Sequence, residues 1–405
     1  MTRLLIFTCL FFIAGDCVSA PVVWLSPRTD GVIGTGTESN PYDASTRQKF
    51  DALMRSFWTR FPGELVVELT VGRFDTSGEP SYNESEGWWV REGWTIRGRD
   101  PSLTELRMDV FPANTQGNAH GVIALQYTAL GGVTIENLTV NENYQAGVWP
   151  VDCNTFAVRL FGNSNTVRNV WAMGGYGYLA FLRESFSISI CSRFNGSFWE
   201  TNTAGLIESC VVSGYRGDYG LAISMLGGPD GTGGAGGVVR DCIVRNFIGT
   251  SAFGLGHNVT FTGNTTIGCK TSFYSEGNTD NVIITSNRMF SGIGPVVYSF
   301  PGVSATINGL SISNNLIETT SGGVAIALSN NQTGQTARVS ISSNTIMGPS
   351  DSYGINAAYV NGISVTDNLL SPGVDSLRWD EYPSTGVFRR GNRILGSPVG
   401  LEDTN

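Results

Sequence analysis

Lysine, histidine and long apolar runs are all scarce in this 405-residue chain. Two lysines, Lys49 and Lys270, and a formal charge of −9 give no basic excess of the kind that recruits nucleic acid or an anionic membrane. A locally basic groove for an anionic polysaccharide stays compatible with that balance. Two histidines and seven cysteines without a Cys-x-x-Cys pair leave no spacing for a structural zinc site. Charged residues make up only 15% of the chain, whereas Gly reaches 52 and Asn, Ser and Thr are abundant. Such a composition suits a repeat architecture, in which one domain lengthens along an axis instead of dividing by size.

The one marked apolar run, Leu4 to Ala14, follows Arg3 and is closed by the small-residue exit Cys17-Val-Ser-Ala20. This pattern predicts an export signal over residues 1–20, cut after Ala20 or after Ser19. As a membrane anchor the run falls well short of the roughly 20 residues that span a bilayer. Asp16 between Gly15 and Cys17 breaks a lipoprotein-type junction. A secreted, periplasmic or cell-surface protein without membrane insertion is expected. Removing the signal leaves the charge at −9, because Arg3 and Asp16 cancel. The remaining cysteines are Cys153, Cys191, Cys210, Cys242 and Cys269, an odd set that requires an unpaired or intermolecular thiol.

Ser45-Thr-Arg-Gln48 reads as a capping box, and Phe50, Leu53, Met54, Phe57, Trp58 and Phe61 follow at helical spacing. A helix within residues 43–61 is predicted, ended by Pro62-Gly63, with a broad apolar face suited to capping an open solenoid coil. Short strands follow at 65–71, 88–90 and 94–96. A repeat then places Asn or Cys at Asn137, Asn169, Cys210, Cys242, Asn264, Asn287, Asn315, Asn344, Asn368 and Asn392. Their spacings are 32, 41, 32, 22, 23, 28, 29, 24 and 24 residues, with apolar residues on either side. A period in the low twenties with insertions is one coil of a β-helix. Asn suits the turn between two strands and stacks in amide ladders. No Leu-x-x-Leu-x-Leu frame supports a leucine-rich repeat, and the period is too short and irregular for a propeller. Residues 21–405 are therefore expected to form one all-β, single-stranded parallel β-helix domain, clearest over 130–396. Cys210 and Cys242 in consecutive coils lie within disulfide range, yet in-register side chains point in parallel; two buried thiols are the favoured reading.

The order Asp30-Gly-Val-Ile-Gly-Thr-Gly to Tyr42-Asp43, the capped helix, Gly72-Arg-Phe-Asp-Thr76 and Gly93-Trp-Thr-Ile-Arg-Gly98 resembles exported bacterial proteins of the pectin-lyase-like superfamily. The resemblance implies a right-handed coil closed by an N-terminal helix. It leaves activity open, since that superfamily includes lyases, hydrolases, epimerases, tailspikes and non-catalytic surface proteins. The polygalacturonase-type motifs are out of order here: Asn278-Thr-Asp280 follows Gly256-His257-Asn258, and neither Asp-Asp nor Arg-Ile-Lys occurs. No carboxylate cluster of the calcium-dependent pectate lyase kind stands out, so no cofactor is expected and calcium has no support.

The longest insertions fall between Asn137 and Cys242, where projecting loops carry function in such folds. Charged and aromatic residues gather there and in the coils that follow. Arg216, Asp218, Tyr219, Lys270 and Glu276 are the candidate catalytic residues. Tyr176, Tyr178, Arg183, Tyr274 and Tyr298 are the candidate substrate-binding residues. Counted from the repeat marker, Tyr178, Tyr219, Tyr274 and Tyr298 fall nine to eleven places on, which predicts an exposed tyrosine column. Tyrosine faces stack on sugar rings, and Arg or Lys meets uronate carboxylates. β-Elimination needs a base for the C5 proton, a group to neutralise the carboxylate and an acid for the leaving oxygen. A glycoside hydrolase would instead need paired carboxylates, of which Asp218 and Glu276 are the best available. The competing reading is that these ladders only stabilise a solenoid surface. His257 and His120 are expected to be satisfied structural residues. Gly231-Thr-Gly-Gly-Ala-Gly236 lacks the helix that a phosphate loop requires and reads as a flexible loop. The sequence thus predicts a polysaccharide lyase, with a non-catalytic glycan-binding or structural β-helix protein as the alternative.

Overall fold

A computed structural model describes residues 19–80, 87–109, 119–145, 154–177, 186–197, 200, 202–226, 235–275, 279–298, 307–320, 322–329, 336–358, 360–371, 375–378 and 386–395. Residues 1–18 of the expected export segment lie outside them, as do Cys153, Tyr178, Arg183 and Glu276. None of the described helices is long and apolar enough to cross a membrane.

The chain winds as a right-handed parallel β-helix whose coils contribute strands to three faces. Sheet A runs from Val22–Ser26 through Leu65–Leu69 and Trp94–Arg97 to Phe388–Arg390. Sheet B starts at Gly72–Thr76 and ends at Arg393–Ile394. Sheet C starts at Ala119–Ala124 and ends at Asp375–Arg378, with an isolated bridge from Val90 to Leu125 before it. Period-two alternation aims every second residue inward. In sheet A the register stacks Ile96, Ile135, Val167, Ile207, Val239, Phe261, Ile284, Ile312, Ile341 and Val365 in one fully buried column. Each such side chain stabilises the fold by about 1.5–3 kcal/mol.

Helix α1 (Arg47–Arg60) covers the first coils with Phe50, Met54 and Phe57. Its N-cap is Thr46, whose hydroxyl accepts from the Lys49 amide at 3.3 Å, one residue later than the capping box expected from Ser45. Ser45 instead accepts a hydrogen bond from the Lys49 ammonium.

The recurring marker resolves into two adjacent positions. The turn from sheet A to sheet B takes a left-handed residue in each coil: Asn137, Asn169, Ser209, Asp241, Gly263, Ser286, Asn314, Ser343, Asp367 and Gly391. The following residue points into the core: Leu138, Val170, Cys210, Cys242, Asn264, Asn287, Asn315, Asn344, Asn368 and Asn392, all buried. Asn137 and Asn169 therefore belong to the outer column, where the Asn169 amide donates to Asn137 at 3.0 Å. Asn is favoured both at left-handed turns and in amide stacks, which is why one letter at neighbouring positions resembled a single repeat.

From Asn264 to Asn368 each buried amide donates to the next Asn Oδ1 at 2.9–3.0 Å and to a sheet A carbonyl, and Asn392 closes the row by donating to the Val365 carbonyl. Cys210 and Cys242 are free thiols, as favoured above. Their Sγ atoms point to the Val167 and Ile207 carbonyls at 3.6 and 3.8 Å, occupying the place of the amide donor. Burial pushes the Cys242 thiol up.

Candidate functional site

Charges on the first half of sheet A neutralise one another across coils. Glu68, Arg97, Glu136, Arg168, Glu208 and Arg240 alternate in register, with ion pairs of 2.5–3.4 Å between successive members. On the later coils the same row becomes Thr262, Thr285, Ser313, Ser342 and Thr366.

The turn from sheet B to sheet C is different. Tyr144 stacks on Tyr176 with centroids 4.0 Å apart and rings 12° from parallel. Arg216 lies in register with Tyr176 in the next coil. Two coils beyond, the Lys270 amide bonds to the Phe247 carbonyl, which sets Lys270 beside the exposed Ile248. Arg216 and Lys270 are exposed and, among the described residues, form no ion pair, nor do Arg245 and Arg288 on the neighbouring outer face of sheet B. Among the described residues, Arg216, Arg245 and Lys270 thus lie toward the sheet B to sheet C turn without an ion pair, while Arg288 stands at the other end of its strand, next to Asn287.

Beside that edge, the outer row of sheet C holds Arg159, Ser189, Ser224, Gly254, Tyr274 and Val296, one per coil. Ser189 and Ser224 are fully buried and their hydroxyls have no hydrogen-bond partner. Phe186, Leu221 and Leu226 form a small apolar cluster against which Tyr274 packs. Arg159 lies 4.0 Å over the Phe156 ring and pairs with buried Glu79 at 3.4 Å. At the far end of this face His257 Nδ1 stands 3.2 Å from Asp280 Oδ2.

Under the Tyr144–Tyr176 stack sits Glu142, fully buried inside the coil. Burial pushes its carboxyl up to about 8, against the opposing effect of the Thr155 hydroxyl that donates to it. Thr155 Oγ1 also accepts the Tyr176 amide at 2.8 Å, so the buried acid and the ring stack share one anchor. Gly175 makes room for this carboxylate, since a Cβ there would stand 2.7 Å from Oε2.

Of the residues singled out in the sequence, the structure brings Tyr176 and Arg216 together and keeps Lys270 on the same edge. Asp218 is exposed beside Arg216, and the Tyr219 carbonyl accepts from the Tyr215 hydroxyl at 2.6 Å. The tyrosines do not form one column. Tyr274 lies mid-strand in register with Gly254, and Tyr298 pairs with Ser329 two places further along than the Tyr274–Val296 step. Tyr219 precedes the strand Leu221–Leu226 altogether. Equal counts from the marker do not survive turns of unequal length. Lys270 and Tyr274 are four residues apart on one strand, about 13 Å by strand rise. The predicted residues Tyr178, Arg183 and Glu276 lie outside the described residues.

Sequence reasoning missed Arg159, Ser189, Ser224 and Glu142. The alternation Ile188-Ser-Ile190 and Ile223-Ser-Met225 carries the serines on its outward beat, and Leu138-x-Val140-x-Glu142 carries the acid on its inward one. His120 is structural as expected: its Nε2 lies 2.9 Å from the Ser77 carbonyl, and burial lowers it to about 4. Among the described residues no cluster of three or more His, Cys, Asp and Glu side chains suits a metal ion.

No family model matches the sequence, and no curated protein matches it either. Solved structures do. What they share with this chain is the parallel β-helix fold. The Azotobacter vinelandii mannuronan C-5 epimerase AlgE6 A-module shares 14% identity over 86% of this chain and 94% of its own, with a TM-score of 0.55. The tailspike protein of E. coli bacteriophage HK620, solved with a pentasaccharide, shares 13% identity over 86% of this chain at a TM-score of 0.57. This chain spans 63% of that tailspike's length. At such identities the likeness is one of fold.

Proposed function

We propose that this protein is exported and acts on an acidic polysaccharide lying along the edge between sheets B and C. The observation that carries this reading is the contrast in charge. Arg97, Arg168 and Arg240 on the first half of sheet A are neutralised by glutamates in register, whereas Arg216, Arg245 and Lys270 form no ion pair among the described residues. A polymer with a carboxylate on every ring supplies the missing partners, and Tyr176 offers a ring face beside Arg216. The two solved neighbours, a mannuronan C-5 epimerase and a tailspike holding a pentasaccharide, support a saccharide partner.

The reaction we assign is β-elimination: Arg216 and Lys270 neutralise the carboxylate so that the C5 proton acidifies, Tyr219 or Tyr274 takes that proton, the C4–O bond breaks as the C4–C5 double bond forms, and the same tyrosine returns the proton to the leaving oxygen. Incubation with a panel of uronate polymers, read by the ultraviolet absorbance of unsaturated ends, tests it. Activity that falls at least about 100-fold in Lys270→Ala and Tyr219→Phe is the expected outcome. Silence across the panel, with and without calcium, sinks the lyase reading. The second reading, glycan binding without turnover, draws on the separation of Lys270 from Tyr274; it predicts retention of the same polymers in affinity electrophoresis with no absorbance change.

A further inference from the structure

The outer face of sheet B is open over eight successive strands, from the one that ends at Met173 to Leu369–Leu370. Its first row runs from Trp171 through Ile243, Thr265, Arg288 and Leu316 to Leu369. Two residues further along the strands, the second row holds Arg245, Ile267, Phe290 and Glu318 in consecutive coils. Trp171 is 39% exposed and Ile267 40%. Seven coil steps make the strip about 34 Å long, and contiguous apolar surface of that extent is characteristic of docking surfaces. Three charged side chains interrupt it, Arg245, Arg288 and Glu318, and none of them forms an ion pair among the described residues.

The strip is complementary to itself. A two-fold axis parallel to the strands, passing between the coils of Thr265 and Arg288, lays this face on its own copy with the coil order reversed. Arg245 then stands opposite the partner's Glu318, and Ile243 opposite the partner's Leu316. Ile267 meets the partner's Phe290, and Trp171 meets the partner's Leu369. Arg288 begins its strand beside the sheet A to sheet B turn, where the partner's exposed Asp241 lies one coil away. The axis falls at the middle of the strip, so all eight strands are covered. A two-fold along the β-helix axis instead would set Arg245 against Ile243 and Glu318 against Leu316, burying both charges unpaired, which is costly.

We propose that this face joins two copies of the chain, packed sheet B on sheet B about the first of these axes. Sheets in such contact stand about 10 Å apart with interdigitated side chains, and an isologous contact closes as a dimer. The pairing assigns Arg245 to the partner. Arg216 and Lys270, at the turn beyond the strip, stay open, and the two-fold sets the cationic turns of both copies along one rim. The dimer does not depend on the polysaccharide reading.

Sedimentation velocity of the full chain over a concentration series tests it, with a dimer that dissociates on dilution as the expected result. Arg245→Glu, Glu318→Arg and Ile267→Asp each raise the dissociation constant at least about tenfold. The double variant Arg245→Glu/Glu318→Arg returns it to within about threefold of the wild type. Within one chain these two residues stand three coils apart, about 14 Å, so rescue reports contact between copies. Circular dichroism checks folding, and Trp171→Ala replaces Ile267→Asp where that variant misfolds. A monomer at every concentration, wild-type association in all the single variants, or charge reversal without rescue overturns the proposal.

Discussion

Asn315 shows how much one side chain carries in this fold. Its Oδ1 accepts from the amide and the side chain of Asn287, and its Nδ2 donates to Ile284 O and to Asn344. Asn315→Ala leaves a backbone amide and a carbonyl buried without partners, a loss of about 2–4 kcal/mol, seen as a lower guanidinium midpoint. Asn315→Cys is expected to lose less, because Cys210 and Cys242 already fill that position. Glu142 makes a second prediction. A carboxyl held at about 8 in the folded chain and about 4.3 in the unfolded one takes up a proton on folding between those values. Stability therefore falls as pH climbs from about 4.3 to about 8, by on the order of a few kcal/mol. Glu142→Gln removes that decline, and urea midpoints at several pH values between these limits check it; parallel slopes in the two proteins would refute the burial argument.

Helix α1 is the element whose loss exposes most, since its apolar face closes the first coils. Phe57→Ala is expected to cost about 3–5 kcal/mol, and Thr46→Ala about 1 kcal/mol, both measured by thermal melts. The helix and the strands were legible because apolar spacing is a local property: Phe50, Met54 and Phe57 sit at helical intervals, and Val-Ser-Ile-Ser alternates. The buried amide ladder was half legible, because Asn also serves the turn one residue earlier. The tyrosine arrangement was not, because the position of Tyr274 against Tyr219 depends on the lengths of the intervening turns, which no pattern in the chain encodes.

At the scale of the whole molecule, a net charge of −9 opposes any anionic polymer except where cations stand unneutralised. Retention of a uronate polymer should therefore weaken steeply as ionic strength rises through the range where the screening length drops from about 30 to about 3 Å. A neutral polymer held by stacking alone would show no such dependence, and affinity electrophoresis across a salt series separates the two. The amide ladder has a consequence for length. Asn344, Asn368 and Asn392 recur at 24-residue intervals with the same partners in each coil. Excising 345–368 would place Asn344 directly on Asn392 and rejoin each strand to its next-but-one neighbour in unchanged register. The chain is thus built as interchangeable modules along this stretch, and its reach can be shortened or extended by whole coils without redesigning the joints.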